Sequence, residues 1–324
     1  MTHDLKNQMK EHINLGISTC LLGENVRYDG GHKLNHYLKD VVGQFVNWIP
    51  VCPEVECGLP VPREAMHLSG DPRSPRLVTV RSGIDHTARM LEWSKKKLDQ
   101  LEKLDLCGFV FKSNSPSSGM RDIFVYGSSG VPVTKGPGIF ARQFMDRFPL
   151  IPVEDEGRLN DAELRENFIE RVFVFKRWKD LTRNNVTIGG LVSFHTAHKL
   201  LIMSHSVKYL NELGKLVAQA ESDDLKKVFD HYFLILMTAL KLKATVRKNV
   251  NVLHHIMGYF KKRLSSGEKQ ELLEVIESYH HGLMPLIVPI VLLKHYVRKF
   301  DEPYLKHQYY LNPYPIELML RNHV

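Results

Sequence analysis

Four cysteines, Cys20, Cys52, Cys57 and Cys107, give this 324-residue chain its widest chemical range. A thiolate binds soft metals and iron–sulfur clusters, whereas a buried thiol is an inert small hydrophobe. A cytosolic chain of this size disfavours disulfides, so the choice lies between those two uses. Cys20 stands in Ser18-Thr19-Cys20-Leu21-Leu22-Gly23, ahead of Val26-Arg27-Tyr28-Asp29-Gly30-Gly31. Cys52 opens Cys52-Pro53-Glu54-Val55, ahead of Gly58-Leu59-Pro60 and Pro62-Arg63. A third stretch, Lys112-Ser113-Asn114-Ser115-Pro116-Ser117-Ser118-Gly119, offers hydroxyls in a similar turn. The histidine pairs His195/His198 and His254/His255 lack a neighbouring carboxylate or cysteine, which makes a weak case for a metal.

The elements between these stretches say where they meet. Short strands are expected at His12–Cys20, Trp48–Cys52 and Cys107–Phe111, each running into one of the three turns. Asp85 reads as the N-cap of a helix over His86–Leu104, with Met90, Leu91, Leu98, Leu101 and Leu104 on its inner face. Strand, helix and strand at this spacing predict βαβ units in a parallel sheet of Rossmann-like α/β type. In such sheets the carboxyl ends of the strands form the ligand crevice, so the three turns should converge on one site.

The acidic, glycine-containing segment Glu154–Arg158 reads as a boundary between domains at 1–153 and 160–324. Beyond it the periodicity is helical: Leu164–Trp178, Leu191–Met203, Leu225–Leu242, Val250–Leu264, Leu272–His280 and Leu286–Val297. The second domain is therefore expected to be all-α.

Hydrophobic residues make up 43% of the chain and charged ones 25%, as in ordinary globular proteins. Met1–Lys10 has no apolar core of a signal peptide, and Pro285–Leu293 is too short to span a bilayer. The expectation is a cytoplasmic protein with no membrane association; no protein partner can be inferred. The net charge of +8, spread over both halves, favours an anionic partner.

In this order and spacing the three turns resemble the thiouracil desulfurase family over residues 12–153. The second half resembles the helical domain fused to such desulfurases, through Asn167–Arg171, Phe194–Leu200, Asn249–Leu253, Gly258–Lys262 and Glu317–Val324. Together they look like the bacterial tRNA 4-thiouridine desulfidases.

The resemblance implies a [4Fe–4S] cluster held by three cysteines, one per motif, with one iron free of any protein ligand. By motif position the ligands are Cys20, Cys52 and position 118, the catalytic carboxylate is Glu54 and the catalytic hydroxyl is Ser117. Arg27, Asp29, Lys112 and Ser115 are candidates for the substrate pocket, although Arg27 and Asp29 also suit an ordinary turn pair. The family carries cysteine where this chain has Ser118, and a serine oxygen is a poor ligand beside thiolate. A substitution at an intact site, loss of the cluster and recruitment of Cys57 all remain open.

The implied partner is tRNA, with conversion of 4-thiouridine to uridine and release of hydrosulfide. Candidate phosphate contacts are Lys199, Lys208, Lys241, Lys243, Arg247, Lys248, Lys261, Lys262 and Arg263, and Trp178 reads either as a base-stacking platform or as core. Desulfuration of free thiouracil or thionucleosides, and a non-catalytic RNA-binding protein with a decayed cluster site, are the alternatives.

Overall fold

The computed structural model describes residues 13–127, 129–221 and 224–323. His12, Met1–Lys10 and Val324, which enter the sequence reading, lie outside the described residues. The chain divides into two compact units between Asn160 and Asp161.

The first unit holds two four-stranded sheets. Strands β1 (Ile13–Ser18), β2 (Val46–Val51), β5 (Gly108–Phe111) and β8 (Val153–Asp155) form the first, in the order β2-β1-β5-β8 and wholly parallel. All four residues of β5 are buried, as befits a central strand covered on both faces. Gly16 of β1 is required by packing, because a Cβ there would sit 2.1 Å from the Phe109 ring. Helices α2 (Thr87–Glu102) and α3 (Ile139–Arg147) lie against this sheet. Leu98 and Leu101 from α2, and Phe140 and Phe144 from α3, enclose Phe109 and Phe111, whose rings stack at 4.3 Å.

Helix α2 begins at Thr87, two residues after Asp85, whose carboxylate accepts the Thr87 N–H at 2.8 Å without serving as the N-cap.

The second sheet was not legible as such. It contains β3 (Met66–Ser69), β4 (Arg76–Thr79), β6 (Ile123–Tyr126) and β7 (Pro132–Gly136), ordered β4-β3-β6-β7. Its β3–β6 pair is parallel and its two outer pairs are antiparallel.

The segment read as a boundary is instead edge strand β8 and the turn after it. Glu154 and Asp155 are buried, and their charges are met locally. Arg158 Nε donates to Glu154 at 2.7 Å and Arg158 N donates to Asp155 at 2.9 Å. Acidic residues held by their own cation mimic a solvated linker in sequence.

The second unit is helical among its described residues: α4 (Ala162–Asn184), α5 (Ile188–His205), α6 (Val207–Ala218), α7 (Leu225–Leu240), α8 (Val246–Phe260), α9 (Ser266–His280), α10 (Ile287–Lys299) and the short α11 (Pro303–Lys306). Their starts follow capping chemistry. Asp161 accepts from Leu164 N, Thr187 from Gly190 N, and Ser265 forms a reciprocal box with Glu268. Helix α6 is absent from the sequence reading, although Val207, Leu210, Leu213 and Val217 fall at helical spacing and Leu210 and Leu213 are buried.

Trp178 is core. It is 5% exposed and stacks on Tyr232 at 5.3 Å and Phe233 at 5.1 Å, which removes it as a base platform. Among the described residues, no helix is long and apolar enough to cross a membrane.

Candidate functional site

The parallel sheet brings the three motif turns together at the carboxyl ends of β1, β2 and β5. There they line a cavity of about 460 Å³ that includes Cys20, Cys52, Glu54, Ser115 and Ser118. Ser18 at the end of β1 accepts the backbone N–H of Lys112 at 2.8 Å, which locks two of the turns in register. The third turn is pinned from below by α3, with Ala141 N donating to Ser117 O and Ile139 N to Pro116 O, both at 3.1 Å. Gly138 permits that approach, since a Cβ there would lie 2.6 Å from the Ser117 carbonyl.

Glu54 sits on the one-turn helix α1 (Pro53–Glu56) and is 9% exposed. Its Oε1 accepts from Ser117 Oγ at 2.6 Å and from Ser115 Oγ at 3.4 Å. On the other side, Cys52 Sγ lies 3.7 Å from Oε2. Ser117 is fully buried and is absent from the cavity lining. The structure thus places it one layer beneath the cavity, in contact with Glu54. Glu56 is structural: it accepts from Cys52 N at 2.8 Å and pairs with Lys97 at 2.8 Å.

Burial pushes the Cys20 thiol up to about 11, partly offset by Lys112, and the Cys52 thiol up to about 12, with Glu54 adding to the rise. Both side chains are therefore neutral thiols unless a cation meets them. Cys57 does not face the cavity. Its thiol donates to Glu54 O at 3.2 Å and packs against the core of the second sheet. Cys107 lies at the opposite end of the sheet, just before β5, where its N–H donates to Asn14 O. Neither lines the cavity, which Ser118 shares with Cys20 and Cys52.

The fit to an iron–sulfur cluster can be judged from this donor set. The cavity presents two thiols and one hydroxyl, and among the described residues no three His, Cys, Asp or Glu side chains group to hold a metal. Cys20 and Cys52 suit the cluster; the third position offers oxygen in place of sulfur.

Lys112 and Arg27 line the cavity as expected, and the Lys112 ammonium pairs with Glu156. Glu156 also accepts from Ser113 N at 2.6 Å, so the supposed linker supports the site. Asp29 does not line the cavity. It is exposed and turned onto Arg27 at 3.1 Å, and that bond together with the Gly31 N–H holds its carboxyl below the usual range.

Arg63 stands in the second motif with no role that its sequence neighbours suggest. Its side chain is buried on the cavity wall, donating to Val26 O at 3.1 Å and lying 3.9 Å from Glu54 Oε2. Nothing in the order Pro62-Arg63 signals a buried cation; only the fold puts it opposite Glu54.

In the second unit, Lys199, Lys208, Lys241, Arg247, Lys261 and Lys262 are exposed. Lys243 pairs with Glu163, Lys248 donates to Lys243 O, and Arg263 donates to Phe300 O and faces Glu302. His195 and His198 are buried, bonded to Tyr232 Oη at 3.0 Å and Phe194 O at 2.8 Å.

Several known proteins are similar to this chain. The uncharacterized protein YbgA of Escherichia coli (strain K12) is 29% identical over 165 residues, covering 51% of this chain and 98% of that protein. The uncharacterized protein YbbK of Bacillus subtilis (strain 168) is 29% identical over 130 residues, covering 39% of this chain and 85% of that protein. A solved structure of the [4Fe-4S]-dependent thiouracil desulfidase TudS shares 29% identity over 46% of this chain and 93% of its own, with a TM-score of 0.38. Residues 199–315 match the model of a family of unknown function, DUF1722. Residues 15–156, which contain every wall of the cavity, match the 2-thiouracil desulfurase family model.

Proposed function

We propose that this chain is an iron–sulfur-dependent desulfidase that converts 4-thiouridine in tRNA to uridine and releases hydrosulfide. The observation that carries the reading is the buried Ser117–Glu54 pair beside Cys52, on a cavity shared with Cys20, inside the segment that matches the desulfurase model.

A cluster bound by Cys20 and Cys52, with position 118 as its third seat, would supply a Lewis-acidic iron left free for the substrate's sulfur. The protein's own part is proton handling. Water adds its oxygen to the base carbon, the carbon–sulfur bond breaks, and sulfur leaves as hydrosulfide with no net redox change. Glu54 takes the proton from that water, and Ser117 holds Oε1 in place and passes the proton within the pair. Arg63 and Lys112 place positive charge on the cavity wall, suited to an anionic sulfur.

Access to the base requires a nucleotide out of its stack, which RNA loops provide. The exposed lysines and arginines of the second unit supply the phosphate contacts. A free thiouracil would need no such surface.

Ser118 favours a second reading, an RNA-binding protein without cluster chemistry. Loss of thiouridine absorbance from tRNA, followed with the parent chain and with Ser118→Cys after anaerobic reconstitution, separates the two. Turnover by the cysteine variant supports the desulfidase. Tight tRNA binding with no turnover by either form supports the second reading.

A further inference from the structure

The second sheet has one covered face and one open face. Leu68, Leu77, Ile123 and Val125 are buried against Met90 and Ile139, so alternation sends their neighbours to the other side. Register sets His67 beside Val78, Phe124 beside Lys135, and Ser69 beside both Arg76 and Tyr126. The rings make a connected set: His67 meets Tyr126 edge-on at 5.2 Å, Phe124 lies 6.5 Å from Tyr126, and Lys135 Nζ stands 4.6 Å over the Phe124 ring. Phe124 is 45% exposed.

None of the four strands contains Asp or Glu, while Arg76 and Lys135 are exposed cations. The carboxylate nearest Arg76 is Asp85, at 3.7 Å and itself exposed. Ala65 and Met66, where β3 begins, belong to the cavity wall, so the sheet starts at the candidate site.

We propose that this open face binds single-stranded RNA, with Phe124 and Tyr126 as base-stacking platforms and Lys135 on the backbone. The inference rests on the RNA-desulfidase reading and adds where the strand runs beyond the base held in the cavity. Aromatic rings with a cation above one of them, on strands that contain no carboxylate, match a polyanion with stacking bases. A second copy of the chain fits less well. Edge strand β7 carries Pro132 and Lys135, which oppose strand pairing, and cationic faces repel one another.

The test is fluorescence anisotropy of a labelled single-stranded oligouridine with the full chain. Phe124→Ala and Tyr126→Ala should each weaken binding about tenfold, and Phe124→Tyr should retain it. Lys135→Gln should lower the salt slope by about one. Photocrosslinking of a 4-thiouridine-containing strand to the unmodified protein provides a check that needs no variant, with adducts expected on β3, β6 or β7. Parent binding with no loss in either alanine variant, or adducts confined to the second unit, overturns the proposal and leaves the tRNA reading standing. Alanine variants that turn a dimer into a monomer at unchanged RNA affinity also overturn it, in favour of a self-contact. A parent chain that binds tRNA but no single-stranded oligonucleotide also overturns the proposal, whereas one that binds neither overturns the tRNA reading as well.

Discussion

The two units use polar residues in opposite ways. In the first, the candidate groups other than Asp29 are buried or half-buried, and several are committed to a neighbour: Ser117 to Glu54, Lys112 to Glu156, with Ser18 accepting from Lys112 N. In the second, the candidate cations are mostly exposed, on helices or in the turns that follow them, while buried polar groups such as His195 and His198 serve the core. A site made by converging loops depends on each member, so one change should abolish function. A surface made of solvated charges should lose function gradually. That contrast sets the order in which substitutions should hurt.

The largest effect should come from Glu54→Gln. In a cluster-loaded Ser118→Cys background it should cut desulfuration by about 10²–10⁴-fold, the usual worth of a positioned acid–base group, with little change in tRNA affinity. Comparable losses in both would move Glu54 from chemistry to binding.

Gly138→Ala should follow. Its new methyl would press on the Ser117 carbonyl and push the third turn off α3, costing about 1–3 kcal/mol in thermal unfolding. A parent-like melting curve would show that the turn is not fixed from beneath.

Replacing Lys261 and Lys262 together with glutamine should weaken tRNA binding by about tenfold or less. The salt dependence should flatten by about 0.9 for each phosphate that the variant leaves unneutralised. An unchanged slope would remove those residues from the interface.

The smallest effect concerns pH. Burial first, then Lys199, lowers His195 from 6.5 to about 4. Below pH 6.5 the unfolded chain takes up a proton that the folded chain refuses, so stability falls as pH drops from about 6.5 to about 4. Above that window both states are neutral and the effect vanishes. His195→Phe should show a shallower loss across the same range in pH-dependent unfolding. Identical slopes would mean that His195 is solvated.

How legible the molecule was from sequence follows the same divide. The parallel sheet and its converging turns could be read because β1, β2 and β5 are short apolar runs stopped by Gly, Pro and Ser. The second sheet could not. Its strands are four or five residues long, and β7 is exposed almost throughout, so no strong alternation announces it. Glu154 and Asp155 misled because charge near a glycine looks solvated until Arg158 is seen to pair with Glu154 and Arg121 to face Asp155. Cys57 sits close to Cys52 in sequence, but the turn of α1 points it away from the cavity. Arg63 needed the fold, since its importance lies in what it faces. Trp178, flanked by Arg177 and Lys179, fits either a stacking platform or the core in sequence, because helical neighbours point in different directions; the fold buries it.

The central claim is that the first unit is a cluster site lacking one thiolate. It is tested most directly by the iron and sulfide content, with visible absorption, of anaerobically reconstituted protein as it stands and as Ser118→Cys. The expected result is a stable four-iron cluster in the cysteine variant and a poorly retained one in the parent. No cluster in either form would contradict the claim.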